Sequence, residues 1–442
     1  MLDEMTNHPL PPAPRHFRPP RLRPMKTLLI AGCMAFIWSA GAAELRTWMS
    51  VKGTTLEAKL VRYDPEKEEV YLSVLKPKPR ELKLKASDLS LADRQHLVEY
   101  AKADPKILTA GDLEVPEEDV RIDKATFERL DKKLSLTGAT DPVFDLMRTE
   151  HFLVAYCGKV RPNSMAEIAE RLWHGSAFHH MDFRIDWGDE RMLIVLVDGE
   201  DVFKHVGDWY KKHLADAGFD QQANWIGMLW DKLQSTTIRL PDEVVEEHKV
   251  FDHAPIFNVK DRSRYRKVFA PFPTHGIAGR ILARQIGGIT DYGQRGYFAI
   301  VTGHAYYKEI QLAGKTETRL IDADAYEGNE IAQARGFEDG TSWARSLRKM
   351  VRRGKLEPKL EPLLAIENAV NLTPEQLVMI YSFAYYMQST PERVSAFATL
   401  VRRAAISNQI PASIEIARIF GFKSVEALEK DWIEFIESRD FK

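Results

Sequence analysis

Two stretches decide how this chain is read: Phe272-Pro273-Thr274-His275-Gly276-Ile277-Ala278-Gly279 and Ala299-Ile300-Val301-Thr302-Gly303-His304-Ala305-Tyr306-Tyr307. The first lies in a run, Ala270 to Ile286, in which Ile277, Ala278, Ile281 and Leu282 recur on one helical stripe. The second lies in Tyr297 to Leu312, whose apolar content suits a helix packed against the first. A pair of helices is therefore expected, with His275 and His304 in its two members.

Upstream of that pair, from residue 149, the pattern alternates between α and β. Glu150 to Cys157 reads as a strand, Ser164 to Phe178 as a helix, Arg191 to Val197 as a buried strand and Glu200 to Ala217 as a helix. In the helix, Met165, Ile168, Ala169, Leu172 and Trp173 fall at i, i+3, i+4, i+7 and i+8, which makes one buried face. Downstream, the last hundred residues read as helices: Pro374 to Gln388, Pro391 to Ser407, Pro411 to Phe420 and Ser424 to Glu437. Three of these open with proline, whose fixed φ and missing N–H suit a first helical turn.

The 442-residue chain carries 62 Lys+Arg against 64 Asp+Glu and is 44% hydrophobic, a balance of a folded protein and not of a disordered or fibrous one. Met25-Lys26, the apolar run Leu28 to Trp38 and the small residues Ser39-Ala40-Gly41-Ala42-Ala43 read as a secretory signal peptide cleaved near Ala42 or Ala43. An alternative uses Ile30-Ala31-Gly32-Cys33 as a lipobox, but it leaves a short apolar run before Cys33. Residues 1–24 hold seven of the 23 prolines and read as disordered, or as untranslated if Met25 is the start. Cleavage removes five basic and two acidic residues, so the mature chain has net charge −5 and no bias toward nucleic acid or anionic lipid. No membrane span is expected in it. Cys157 is then the only cysteine, which excludes a disulfide framework and a Cys-based zinc site.

Between residues 44 and 102 the pattern is short and β-like. Arg46-Thr47-Trp48-Met49, a turn at Lys52-Gly53, alternating Leu56, Ala58 and Leu60, then Val70 to Val74 and Leu82 to Leu84 suggest a small barrel. Ser90 and Asp93 have the spacing of a capping box opening a helix, Leu91 to Lys102, whose Leu97 and Tyr100 would lie back on the barrel. The set Arg46, Trp48, Gly53, Leu56, Ala58, Leu60, Val61, Leu89, Ser90, Ala92, Asp93 and Leu97 resembles the SLA homology domain, type one. That resemblance implies an SH3-like barrel and peptide recognition, with Trp48, Tyr63 and Tyr71 as candidate contacts. A plainer reading makes Trp48, Leu56, Leu60 and Val70 only the core of a tethering domain. Residues 103–148, with the acidic run Glu114 to Asp119 and a short amphipathic helix around Ala125 to Leu134, read as connector.

The order of elements from residue 149 to 442 resembles the gluzincin, peptidase-MA-like metallopeptidases, with a mainly helical carboxy-terminal part. Phe272 to Gly279 stands where such enzymes have H-E-x-x-H, and Ala299 to Tyr307 where they have W-L-x-E-G-x-A-x-Y. Tyr381 to Tyr386, Ile419 to Phe422 and Leu428 to Trp432 follow the closing helices more loosely. In the active pattern two histidines and a glutamate hold zinc, and a second glutamate takes the proton from bound water. Here His275 remains, Gly276 replaces the base, Gly279 the second histidine and Thr302 the third ligand. The resemblance therefore implies a vestigial site of His275, Gly276, Gly279, Thr302 and His304, with no catalytic residue, metal or cofactor. If there is no such kinship, His275 is a helix-start residue.

A rebuilt site would draw on His275 with His304, helped by Tyr306 or Asp291, but histidine pairs arise readily by chance in a chain with 13 histidines. His151 and His179-His180 read as surface or core histidines, because no carboxylate shares their spacing. Arg345, Arg348, Lys349, Arg352, Arg353 and Lys355 fall within eleven residues and read as a solvated helix face in preference to an anion site. The expected whole is multidomain: a small all-β SH3-like barrel followed by a larger α+β, gluzincin-like domain. Its expected function is non-catalytic binding of a protein or peptide after export. A metal-dependent hydrolase with a rebuilt site and a structural envelope component are the alternatives.

Overall fold

Strand-like alternation in the first hundred residues becomes a four-stranded antiparallel meander. The computed structural model describes residues 45–49, 55–75, 78–89, 91–108, 121–136, 142–174, 187–233, 235–259, 265, 269–286, 294–318, 342–369 and 372–442. The leader, Gly53, Ser90, the acidic run 114–119, His179-His180 and Asp291 lie outside them. Strands β1 (Leu45–Met49), β2 (Thr55–Asp64), β3 (Glu69–Val74) and β4 (Arg80–Lys85) pair in chain order. Helix α1 (Leu91–Ala101) follows. The core is Trp48, Ala58, Val70, Leu72, Val74, Ala86, Leu89 and Leu97.

Arg46, Trp48, Ala58 and Asp93 form a single construction. Trp48 Nε1 donates to the Ala58 carbonyl at 3.1 Å, and the Arg46 guanidinium lies 4.8 Å over the Trp48 ring. The same Arg46 donates to the Asp93 carboxylate at 2.7 Å. Arg46 thereby ties the first strand to the first turn of α1, and buried Asp93 has the partner that burial of a charge requires. Tyr100, expected against the sheet, is instead 71% exposed, with its ring 4.4 Å from that of His96. Leu97, with Val98 and Ala101 beside it, fills the place under the helix.

The second sheet has six strands. In chain order these are β5 (Glu128–Ser135), β6 (Val143–Arg148), β7 (Phe152–Cys157), β8 (Met192–Val197), β9 (Ser235–Arg239) and β10 (His253–Asn258). Their order across the sheet is β5-β6-β7-β8-β10-β9. The central neighbours β7, β8 and β10 run parallel, and the pairs on either side run antiparallel. Every residue of β8, Met-Leu-Ile-Val-Leu-Val, is buried, as a parallel strand covered on both faces must be. Leu193, Val195 and Val197 face the core built with α3 (Glu200–Asp216) and α4 (Asp220–Leu229). Met192, Ile194 and Leu196 face α2 (Pro162–Trp173) and α6 (Pro271–Gln285) on the other side. Between β9 and β10 lies the short α5 (Asp242–His248).

The helix expected around Ala125 to Leu134 is a strand, and the sheet begins inside the stretch expected to be connector. Leu130 and Leu134 are four residues apart, a spacing that fits a helix face or one side of a strand. A register irregularity between them carries Lys132, which a regular strand would bury, out to solvent.

Helix α7 (Tyr297–Ala313) packs on α6. It shares one core with α8 (Trp343–Arg352), α9 (Leu360–Leu364), α10 (Pro374–Met387), α11 (Pro391–Ser407), α12 (Ser413–Ile419) and α13 (Val425–Glu437), in which α10 touches α7, α8, α9, α11 and α13. The starts of α10, α11 and α13 are set by their caps. Thr373, Thr390 and Ser424 each accept a backbone N–H of the first turn, and Gln376 returns the bond to Thr373 at 2.9 Å. Arg403 of α11 bridges Glu99 of α1 and Glu415 of α12, joining the meander to the helices. No described helix is long and apolar enough to cross a membrane.

Trp48→Ala is expected to lower stability by about 3–5 kcal/mol, as removal of a buried aromatic does. Urea unfolding followed by circular dichroism measures it, and a loss below about 1 kcal/mol would show that Trp48 does not hold the meander together.

Candidate functional site

Helix α6 begins at Pro271, with Ala270 as cap, and Thr274 Oγ1 donates back to the Ala270 carbonyl at 2.7 Å. This turn presents His275 to the far end of α7. Its Nδ1 lies 3.0 Å from Glu309 Oε2, and its ring stands edge-on to Tyr306 with centroids 4.4 Å apart. Glu309 is wholly buried, and its other oxygen accepts the backbone N–H groups of Glu317 at 2.7 Å and Thr318 at 3.1 Å. Tyr306 donates its hydroxyl to the Thr318 carbonyl at 3.1 Å. A carboxylate so placed accepts from every neighbour, which assigns the proton of His275 to Nδ1. The group folds the segment after α7 back onto the helix pair.

The positions that the resemblance groups with His275 are not gathered around it. The helices are antiparallel neighbours, so Gly279, one turn along from His275, faces Ala305 at a would-be Cβ distance of 3.3 Å. Thr302 is buried, seven residues from Glu309 and so about 10 Å farther along the α7 axis. His304 points away from α6. Its Nδ1 accepts from Gln388 at 3.2 Å, and its ring stacks on Phe397 of α11 at 5.9 Å. The pairing of His275 with His304 that a rebuilt site would draw on is not formed: His275 meets Glu309, and His304 meets Gln388 on another face of α7. Gly276 turns toward the sheet, where a Cβ would come within 2.9 Å of Phe257 Cζ on β10. A side chain there would enter the sheet core and not reach a group bound at His275. One imidazole and one carboxylate, with no third donor from positions 279 or 302, do not make the tetrahedral site that zinc needs.

Sequence reasoning passed over Glu309. Lys308-Glu309 near a helix end looks like an ordinary exposed pair, yet both residues are buried. The available signal was that Glu309 stands two turns beyond Thr302, on the same helical face. Burial pushes the His304 imidazole well below its ordinary range, neighbouring Lys308 adds to this, and the bond from Gln388 opposes it. Burial likewise pushes the Lys308 ammonium far down.

The other expected contacts divide. Trp48, at 1% exposure, is a core residue with no surface to offer a peptide. Tyr63 is half-buried against the same core, and burial followed by nearby Glu68 raises its phenol. Tyr71 lies on the sheet surface, with the Arg62 guanidinium 3.5 Å over its ring and its hydroxyl 3.0 Å from Glu69. The basic run forms α8 and is more than a solvated face. Arg348 donates to the Ile436 carbonyl at 3.0 Å and to the Phe441 carbonyl, and Arg352 donates to the Glu437 carbonyl at 2.7 Å. Two of its cations thus close the carbonyl end of α13.

Compared with known proteins, the chain matches no family model, no curated protein and no solved structure.

Gly276→Glu combined with Gly279→His is expected to lower the melting temperature, each side chain costing about 1–3 kcal/mol through overpacking. A variant that melts as the wild type does and gains zinc affinity by calorimetry would contradict the packing assigned to both glycines. His304 gives a pH signature. Its folded-state pKa is depressed, so below about 6.5 the unfolded chain binds more protons and stability falls as pH falls. In urea midpoints taken from pH 7.5 to 5, His304→Leu should reduce that slope; equal slopes in the two proteins would refute the assignment.

Proposed function

We propose that this chain is an exported, non-catalytic protein- or peptide-binding protein, built from an SH3-like domain of the SLA homology kind and a larger unit of metallopeptidase descent. The reading rests chiefly on the use made of His275. Its ring is held by buried Glu309 and packed on Tyr306, so the histidine that resembles a zinc ligand serves the helix–helix contact. A peptidase would need a general base beside it, and the next residue is a glycine pressed on Phe257. Ligand contact falls to the small amino-terminal region, which carries four of the large apolar side chains exposed among the described residues: Leu45 and Val61 on the sheet, Leu75 just after β3 and Tyr100 on α1. Tyr71, capped by Arg62, supplies an aromatic surface of the sort that peptide interfaces favour.

Two measurements on the exported protein test this. A fluorogenic peptide library should show no hydrolysis that depends on His275. Peptides selected by display against the protein should lose at least about tenfold in affinity, roughly 1.4 kcal/mol, on Tyr71→Ala or Val61→Asp. Hydrolysis that disappears in His275→Ala would overturn the reading in favour of the rebuilt hydrolase. Selected peptides indifferent to both sheet variants would remove the small domain as the binding surface.

A further inference from the structure

A second group of ligating side chains lies on the opposite part of the sheet from any resembling motif. Strand β7 leads into α2, and α2 runs back, so its carboxy-terminal end arrives beside the start of β7. His174, the residue that closes α2, therefore meets Glu150 and His151, the two residues before Phe152. The expectation that His151 has no carboxylate near it is wrong for this tertiary reason. Glu170, one turn before His174 and 3% exposed, accepts the His151 backbone N–H at 3.0 Å and lies 2.8 Å from its Nδ1. A carboxylate in that place accepts a hydrogen bond from Nδ1–H and leaves the lone pair on Nε2.

We propose that Glu150, His151 and His174 bind a divalent metal ion of the zinc class, with Glu170 as the group that orients His151. One ligand atom from each of the three lies within 4.8 Å of the others. His151 Nε2 is 3.9 Å from Glu150 Oε1, and the two imidazole rings stand 5.7 Å apart at 80°. A tetrahedral zinc with bonds of about 2.0–2.1 Å wants donors roughly 3.4 Å apart. The gap closes by rotation of Glu150, whose side chain is 77% exposed and which also leaves the site open to an entering ion. Two imidazoles and a carboxylate suit Zn2+ better than the harder Mg2+ or Ca2+. One wall is dry, since the His151 ring lies 4.4 Å from Trp173 and edge-on to Trp187 at 6.3 Å. The carbonyl end of α2 adds a field that favours a cation. Nothing in the site depends on His275, so it stands or falls apart from the proposed function.

Calorimetric titration of the metal-stripped full chain with Zn2+ is the test, with Co2+ absorption as the report on ligand type. One equivalent should bind, giving the visible band of Co2+ with mixed nitrogen and oxygen donors. His151→Ala and His174→Ala should abolish binding, and Glu150→Gln, a surface change that leaves the fold intact, should weaken it. Glu170→Gln should weaken it about 10–100-fold, the usual effect of losing an orienting carboxylate, and His275→Ala should leave it unchanged. Circular dichroism establishes that each variant is folded. Failure of the folded wild type to bind Zn2+ would overturn the proposal. So would binding that survives both His151→Ala and His174→Ala, or that is lost in His275→Ala.

Discussion

Helix α7 can fit between α6 and α10 only because its neighbours come unusually close to it. On one side Gly303 lies against α10, where a Cβ would fall 2.7 Å from the Ile380 carbonyl oxygen, a contact between backbones that no side chain allows. On the other, α6 lies between α7 and the sheet, with Gly276 pressed on Phe257 of β10. The sheet, α6, α7 and α10 thus form successive layers whose spacing is set by missing side chains. At this packing density an added methylene group is felt by every layer.

Close packing of this kind also explains how polar groups come to be buried in an apolar helix pair. Glu309 is tolerated in the interior because three hydrogen-bonding partners converge on it, His275 and the backbone N–H groups of Glu317 and Thr318, and Tyr306 in turn holds the Thr318 carbonyl. His304 is tolerated because Gln388 supplies a donor and Phe397 a stacking face. Polar groups satisfied in this way specify a single arrangement of the helices, since an alternative packing would leave them unpaired.

In the four-stranded meander one cation has a comparable role. Arg46 spans the Trp48 ring and the Asp93 carboxylate, so strand β1 and helix α1 are joined by a residue that the strand alone would leave in solvent. Arg403 performs a similar junction between α1 and α12, and Arg348 and Arg352 between α8 and the carbonyl end of α13. Guanidinium groups suit these places because they donate in several directions at once and remain charged when half-buried.

The sequence by itself determined the elements whose periodicity and caps act locally. The helices opened by Pro374 and Pro391, the stripe of α6, the buried run of β8 and the four short strands of the meander all follow from spacing within one segment. It also determined that position 276 carries no proton-accepting side chain, because a glycine there is a covalent fact. Tertiary structure decided the rest. Leu130 and Leu134 suited helix or strand equally, and only pairing with β6 chose the strand. His275 found Glu309 and not Thr302 because the antiparallel offset of two helices sets which turns meet. His151 met Glu170 and His174 because α2 returns along β7, a relation between segments that no spacing along the chain encodes. Local patterns record what one element needs, whereas a site is a meeting of several elements, fixed by how their buried faces pack.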